Sequence, residues 1–148
     1  MTNINKEILD VLGDLTQLDI NAAEAYSQAL SQIDDNEIYN QIAEFRNDHQ
    51  RHVKELTTMI IHLGGEPLKK TKDLTGFIIK GFTAVRSLTG TVGALKAMQT
   101  NERMTNENYQ KALQHDLPSE VASLVEKNLN DEKRHLEYVN LTLEKINS

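Results

Sequence analysis

Three histidines and three acidic residues occur in this sequence at spacings that suit metal binding. His49 and His52 stand three apart, and Glu132 stands three residues before His135. Residues three apart on a helix lie one turn apart on nearly the same face, so each pair can hold one ion. The chain has no cysteine, which excludes thiolate sites, disulfides and thiol catalysis. Any metal must therefore bind to His, Asp and Glu.

The sequence also repeats itself at an offset of 83 residues. Nine positions are identical between residues 19–60 and 102–143, where about two or three are expected from ordinary residue frequencies. In the first copy they are Glu24, Tyr26, Ala29, Leu30, Glu37, Asn47, Asp48, Arg51 and His52. The same offset pairs Asp19 with Glu102, His49 with Glu132, and His52 with His135. Two copies of one helical hairpin are predicted.

Four tracts of helical periodicity place these six residues on inward-facing stripes. Inward positions follow at alternating steps of three and four, which predicts amphipathic helices. The stripes are Leu12, Leu15, Asp19, Ala22, Tyr26, Ala29 and Ile33; Ile38, Ile42, Phe45, His49, His52, Leu56, Met59 and Leu63; Leu95, Met98, Glu102, Thr105, Tyr109 and Ala112; and Val121, Val125, Asn128, Glu132, His135, Val139, Thr142 and Ile146. All six ionisable residues are thus predicted to face one core.

Turn and capping signals mark the ends of these helices. Residues 34–36 predict a capped turn, residues 64–67 a helix end, and Asp116 with Pro118 the entry to the last helix. Residues 69–93 predict a long crossover with a short helix at 77–85. Residues 1–148 are expected to form one all-α domain, a four-helix bundle with one long connection, which is the ferritin-like topology.

The composition of the chain limits which binding partners and which cellular location are expected. The formal charge of −6 and the lack of a basic stripe argue against nucleic acid. No apolar stretch has the length of a membrane span, and residues 1–12 do not form a signal peptide. A cytoplasmic protein without a membrane partner is expected.

Several segments resemble a known family. The segments are Glu102, Glu132-Lys133-Arg134-His135, His52, the turn Leu63-Gly64-Gly65-Glu66-Pro67, and Tyr109-Gln110-Lys111-Ala112-Leu113 with Leu117-Pro118. They resemble the ferritin-like superfamily of bacterioferritins, rubrerythrins and di-iron carboxylate oxidases, and within it a small bacterial four-helix-bundle family of unknown function. The resemblance implies a pair of iron or manganese ions that reacts with dioxygen or peroxide. The ligand positions that it implies are Asp19, His52, Glu102, Glu132 and His135.

His49 departs from the pattern of that family, in which a glutamate at this position usually bridges the two metals. A neutral imidazole does not bridge two ions as a carboxylate does. Two divalent ions beside three carboxylates would keep one positive charge, so a second ion should bind more weakly. One ion and two unequal ions both stay open. Iron is the first expectation, with zinc and manganese as alternatives.

Two functions remain in competition. The first is a metal-binding protein that oxidises ferrous iron or handles dioxygen or peroxide, with metal held by Asp19, His49, His52, Glu102, Glu132 and His135. The hydroxyls of Tyr26 and Tyr109 would then hydrogen-bond to the ligands, unless these rings serve only as core. The alternative is a non-enzymatic structural or interaction bundle whose polar core is metal-free. A small homo-oligomer is compatible with both.

The other charged residues near the stripes are expected at the surface. The offset repeats Asp48 and Arg51 as Asp131 and Arg134. Solvated helix-edge charges are the first expectation for all four, and the alternatives are that they orient imidazoles or pair with one another. Glu24 and Glu107 point away from the core by helical geometry. His62 and His115 lie near helix ends and are expected to be exposed.

Overall fold

Four α-helices form the part of the chain that a computed structural model describes, residues 3–68 and 90–147. They are α1 (Asn3–Leu30), α2 (Asn36–His62), α3 (Gly90–Ala112) and α4 (Ser119–Asn147). α1 packs most extensively on α2, and α3 on α4, while smaller contacts join α1 to α3 and α2 to α4. This arrangement of two hairpins confirms the predicted all-α bundle. The short helix predicted at 77–85 lies outside the described residues.

The helix ends follow the capping signals in the sequence. Asp35 caps α2, because its Oδ1 accepts a hydrogen bond from the backbone N–H of Ile38 at 3.0 Å. Gly64 follows α2 with a φ of 85°, a left-handed conformation that favours glycine. The predicted start of the third helix after Gly93 was four residues late. α3 begins at Gly90, and Gly93 is buried within it, so tertiary packing overrides the low helix propensity of glycine.

The bundle interior consists of two apolar clusters with a polar layer between them. The first cluster includes Phe45, Leu95, Met98 and Val139, and the second includes Leu12, Leu56, Val121 and Val125. Each of these side chains is at most 1% exposed, and burying a side chain of this size contributes roughly 1.5–3 kcal/mol. Within the described ranges, no helix has the length and apolar character needed to cross a membrane.

The predicted inward-facing residues differ from the buried residues of the structure only near the helix ends. Ile146 was predicted to face the core but is 41% exposed, and Thr142 is half-buried where Leu143 is buried. Met59 and Leu63 are half-buried as well, and Ile60 takes the core position. An ideal helix has 3.6 residues per turn, so a stripe written in steps of three and four drifts around the axis by the last turn.

Candidate metal centre

All six sequence-predicted residues lie together in the polar layer. Each helix supplies at least one: Asp19 from α1, His49 and His52 from α2, Glu102 from α3, and Glu132 and His135 from α4. All six are 0% exposed. Because none of the six side chains is exposed to solvent, any charge here must be balanced by a neighbouring charge, a proton or an ion.

Four of these residues form what we call the Glu102 half of the centre: His49, Glu102, Glu132 and His135. His49 Nε2 lies 3.1 Å from Glu102 Oε2 and 3.3 Å from Glu132 Oε1. His135 Nδ1 lies 3.0 Å from Glu102 Oε2 and 3.1 Å from Glu132 Oε1. The four donor atoms therefore form a closed ring. An ion about 2.0–2.2 Å from each donor requires neighbouring donors about 2.8–3.6 Å apart.

A second group, the Asp19 half, consists of Asp19, His49, His52 and Glu132. Asp19 Oδ1 lies 2.7 Å from His49 Nδ1 and 3.1 Å from His52 Nδ1. Glu132 Oε2 lies 3.5 Å from His52 Nδ1. The two halves share His49 and Glu132, the pair that the internal repeat relates to each other. The repeat thus generates two adjacent halves around one shared pair.

The hydroxyls of Tyr26 and Tyr109 bond to the carboxylates across the bundle. Tyr26 on α1 donates to Glu102 Oε2 on α3, and Tyr109 on α3 donates to Asp19 Oδ2 on α1. Both tyrosines are 0% exposed. The sequence left open whether these rings serve only as core; in the structure each hydroxyl hydrogen-bonds to a carboxylate of the opposite hairpin.

A layer of four charged residues orients the histidines from outside. His52 Nε2 lies 2.9 Å from Asp131 Oδ2, and His135 Nε2 lies 2.8 Å from Asp48 Oδ2. Arg51 and Arg134 each bond to both aspartates. The expectation that these charges are solvated at the helix edges was wrong for the aspartates. The side chain of Asp48 is 15% exposed and that of Asp131 is 18% exposed. Only tertiary packing brings each aspartate to the histidine of the other hairpin.

Sequence reasoning missed two contacts that distinguish the halves. Thr105 Oγ1 donates to Glu102 Oε1 at 2.7 Å, whereas the repeat-related residue to Thr105 is Ala22. The Phe45 ring lies 4.2 Å from the His135 ring, centroid to centroid, and the repeat-related residue to Phe45 is Asn128. The position of Thr105, three residues after Glu102 on the same helix, was the only feature of the sequence that could have predicted either contact.

The buried charges shift one another's pKa values. Burial acts to lower the pKa of His52 and of His135, but the carboxylates beside them outweigh it and raise both pKa values to about 10. The pKa of His49 is also raised, by Glu132 and Glu102 against burial. Burial acts to raise the pKa of Asp19 and Glu102, but the histidines outweigh it and lower both. Among the three carboxylates of the centre, Glu132 alone has a raised pKa, because burial and the nearby charge of Glu102 outweigh the histidines.

Glu132 is the group that the protein leaves least satisfied. Both of its carboxylate oxygens are buried, and neither accepts a properly directed hydrogen bond from any residue that the structure describes. The nearby His135 and His52 nitrogens lie at ion-pair distance, yet off the hydrogen-bonding direction. A buried carboxylate without directed donors costs several kcal/mol. A cation between the donors would satisfy both oxygens, so these residues fit a metal.

The remaining histidines and repeated glutamates lie away from the centre. His62 is 63% and His115 is 39% exposed, with contacts to Glu120 and Glu7 at 3.6 and 3.2 Å. Glu24 and Glu107 are exposed. These four predictions of surface position are confirmed.

The two packed hairpins form a four-helix bundle of the ferritin-like fold, with a buried layer of histidines and carboxylates. Residues 7–115 match the family model described as a domain of unknown function, DUF2383. This match spans more than half of the chain, which therefore belongs to that family. A comparison with curated proteins finds no match.

Solved structures with the same fold come from several bacteria. A ferritin-like diiron-carboxylate protein from Bacillus anthracis is 18% identical with a TM-score of 0.75, over 97% of this chain and 99% of that one. A dodecameric thioferritin, the bacterioferritin-related protein of Bacteroides fragilis, is 16% identical with a TM-score of 0.80, over 96% and 87%. Desulfovibrio desulfuricans bacterioferritin, described with a diiron site, is 21% identical with a TM-score of 0.77, over 98% and 82%. These likenesses establish the fold.

Proposed function

We propose that this protein binds a transition metal, iron first, in the centre formed by Asp19, His49, His52, Glu102, Glu132 and His135. The observation that carries the proposal is Glu132, whose two buried oxygens lack directed hydrogen bonds and face histidine nitrogens on both sides. Imidazole and carboxylate donors together suit iron, manganese and zinc. The diiron sites named for two of the similar structures support iron as the first candidate.

The activity that such a centre would support is the oxidation of ferrous iron by dioxygen or peroxide. A bound iron ion would supply the redox chemistry. The protein's own residues would hold the ion in a dry layer, with the tyrosine hydroxyls fixing Asp19 and Glu102 and the aspartates fixing His52 and His135. Preorganised donors of this kind bind metal without the cost of rearrangement.

Metal analysis tests this proposal directly. Protein purified from iron-replete cells, and metal-free protein titrated with Fe(II) without oxygen, should both carry at least one ion per chain. The variant Glu132→Gln removes the unsatisfied charge at similar volume and should bind iron at least 100-fold more weakly. Exposed Glu126→Gln, on the same helix, is the matched control. Equal binding by both variants, or no binding by the wild type, contradicts the proposal.

A second candidate function rests on the charge balance of the centre. Three carboxylates and three protonated histidines sum to zero, and the raised histidine pKa values match that state. The bundle would then be a structural or interaction protein with a metal-free core. In that case His135→Ala, if it remains folded, leaves any partner complex intact. Isolation of the wild type and the variant from cells, with the partners and metal of each compared, separates the two functions.

A further inference from the structure

We infer that the centre is built to take its first ion in the Glu102 half, with Asp19 serving as a positioning residue that acts through His49. This inference rests on the proposed metal binding and departs from an arrangement in which Asp19 and Glu102 are equivalent ligands. His49 lies between the two halves, and its two ring nitrogens face opposite halves.

The contacts of His49 assign different roles to its two nitrogens. Nδ1 lies 2.7 Å from Asp19 Oδ1, the distance of a strong hydrogen bond to a carboxylate. Nε2 instead faces Glu102 Oε2 at 3.1 Å and Glu132 Oε1 at 3.3 Å. A neutral imidazole carries one N–H and one lone pair. When metal binding displaces one proton from His49, the Nδ1–H is kept by Asp19 and the lone pair left on Nε2 points into the Glu102 half.

The donor spacing favours the same half. In the Glu102 half, four donor-to-donor distances close a ring at 3.0–3.3 Å. In the Asp19 half the corresponding separations run from 2.7 to 3.5 Å. Glu132 also lies nearer to His135 than to His52, at 3.1 against 3.5 Å. A single ion therefore meets its four donors with less movement in the Glu102 half.

Competition for Asp19 points the same way. One divalent ion in the Glu102 half meets two carboxylates, Glu102 and Glu132, and two neutral imidazoles, so its charge is cancelled by its own ligands. An ion in the Asp19 half also meets two carboxylates, but it competes with Nδ1–H of His49 for Asp19 Oδ1. A second ion beside the first would find only Asp19 as a further anion.

Asp19 then fixes His49 in the tautomer that binds metal. A metal-bound histidine usually donates its other N–H to a carboxylate, and losing that partner weakens metal binding about 10–100-fold. Tyr109 donates to the other oxygen of Asp19 and holds the carboxylate in place. The chain Tyr109, Asp19, His49 thus runs from α3 through α1 to α2 and ends at the Glu102 half.

Crystallography of the wild type with one equivalent of Co(II) tests the position of the ion without any substitution. The expected result is one anomalous difference peak among His49 Nε2, Glu102, Glu132 and His135. A peak beside Asp19 and His52, or two peaks of similar height, overturns the inference while leaving metal binding intact. No peak, together with no Co(II) or Fe(II) binding in solution, overturns the proposed function itself.

Repeat-related variants give an independent test in solution by anaerobic Co(II) titration. His135→Gln should weaken the first ion at least 30-fold more than His52→Gln does, and circular dichroism checks that both remain helical. Asp19→Ala should weaken it about 10–100-fold and shift the visible Co(II) spectrum. Asp19→Asn, which retains an acceptor for His49, should restore most of the affinity and the spectrum. Equal effects of the two histidine variants, or no rescue by asparagine, contradict the inference.

Discussion

Asp48 on α2 lies 2.8 Å from Nε2 of His135 on α4, so the orientation of this histidine is fixed by the other hairpin. The reverse contact, from Asp131 on α4 to His52 on α2, measures 2.9 Å. Together with the paired tyrosine hydroxyls, these contacts join the two hairpins at the level of the candidate metal centre. The centre is therefore complete only when the two hairpins are packed together.

Removal of Asp48 should weaken metal binding without changing the ligands. Asp48→Ala leaves Nε2–H of His135 without its acceptor, so we expect the affinity for the metal to fall about 10–100-fold. Competition with a chelator of known affinity measures it. Exposed Glu44→Ala, on the same helix, is the control. If both variants bind equally well, the contact to Asp48 does not orient a ligand.

The metal-free protein should lose stability as the pH rises above neutrality. The pKa values of His52 and His135 are raised from 6.5 to about 10 by their carboxylate partners. A histidine whose pKa is higher in the folded than in the unfolded protein stabilises the folded state fully when the pH is below the unfolded-state pKa. This stabilisation is lost as the pH rises through the folded-state pKa. The free energy of unfolding, from urea titrations in chelator, should fall between pH 6.5 and 10. A constant or rising value contradicts this prediction.

Bound metal should reverse that trend, since ligation requires neutral imidazole and displaces protons. Each displaced proton makes the affinity rise about tenfold per pH unit below the histidine pKa values. The increase in melting temperature caused by Zn(II) should therefore be larger at pH 8.5 than at pH 6. A smaller increase at pH 8.5 would mean that Zn(II) does not replace protons on these histidines.

Each buried tyrosine hydroxyl should stabilise the metal-free bundle. Tyr26→Phe and Tyr109→Phe each remove a hydrogen bond to a buried carboxylate, which is worth about 1.5–3 kcal/mol. Urea unfolding in chelator measures this loss. Tyr39→Phe is the matched control because Tyr39 is 41% exposed. Losses no larger than that of the control would show that the hydroxyls contribute little.

Chelation should lower the melting temperature of the metal-loaded protein. At a free ion concentration about 100 times the dissociation constant, binding adds about 2.7 kcal/mol, or about 5–10 °C for a domain of this size. The double variant His52→Ala/His135→Ala should not respond, and scanning calorimetry compares the two. An equal response of both proteins would locate the ion elsewhere.

Most of the candidate site was predictable, because helical periodicity shows which residues face inward and the internal repeat relates those residues in pairs. Asp19, Glu102 and the four residues on α2 and α4 all face inward on stripes that burial confirms. The roles of Asp48 and Asp131 were not predictable. Each stands at a helix edge, where solvent is the usual neighbour, and contacts a histidine 87 or 79 residues away.

The sequence by itself determined the four helices, the two hairpins and the six residues that meet in the core, because the spacing of apolar residues and caps decides which face of a helix is buried. Only the tertiary structure decided how those six residues are distributed between the Glu102 half and the Asp19 half. The direction of the His49 ring, with Nδ1 toward Asp19 and Nε2 toward Glu102, depends on how closely α1 and α3 approach it. Side-chain rotation and helix packing set that direction, and neither is encoded in the spacing of residues along one helix.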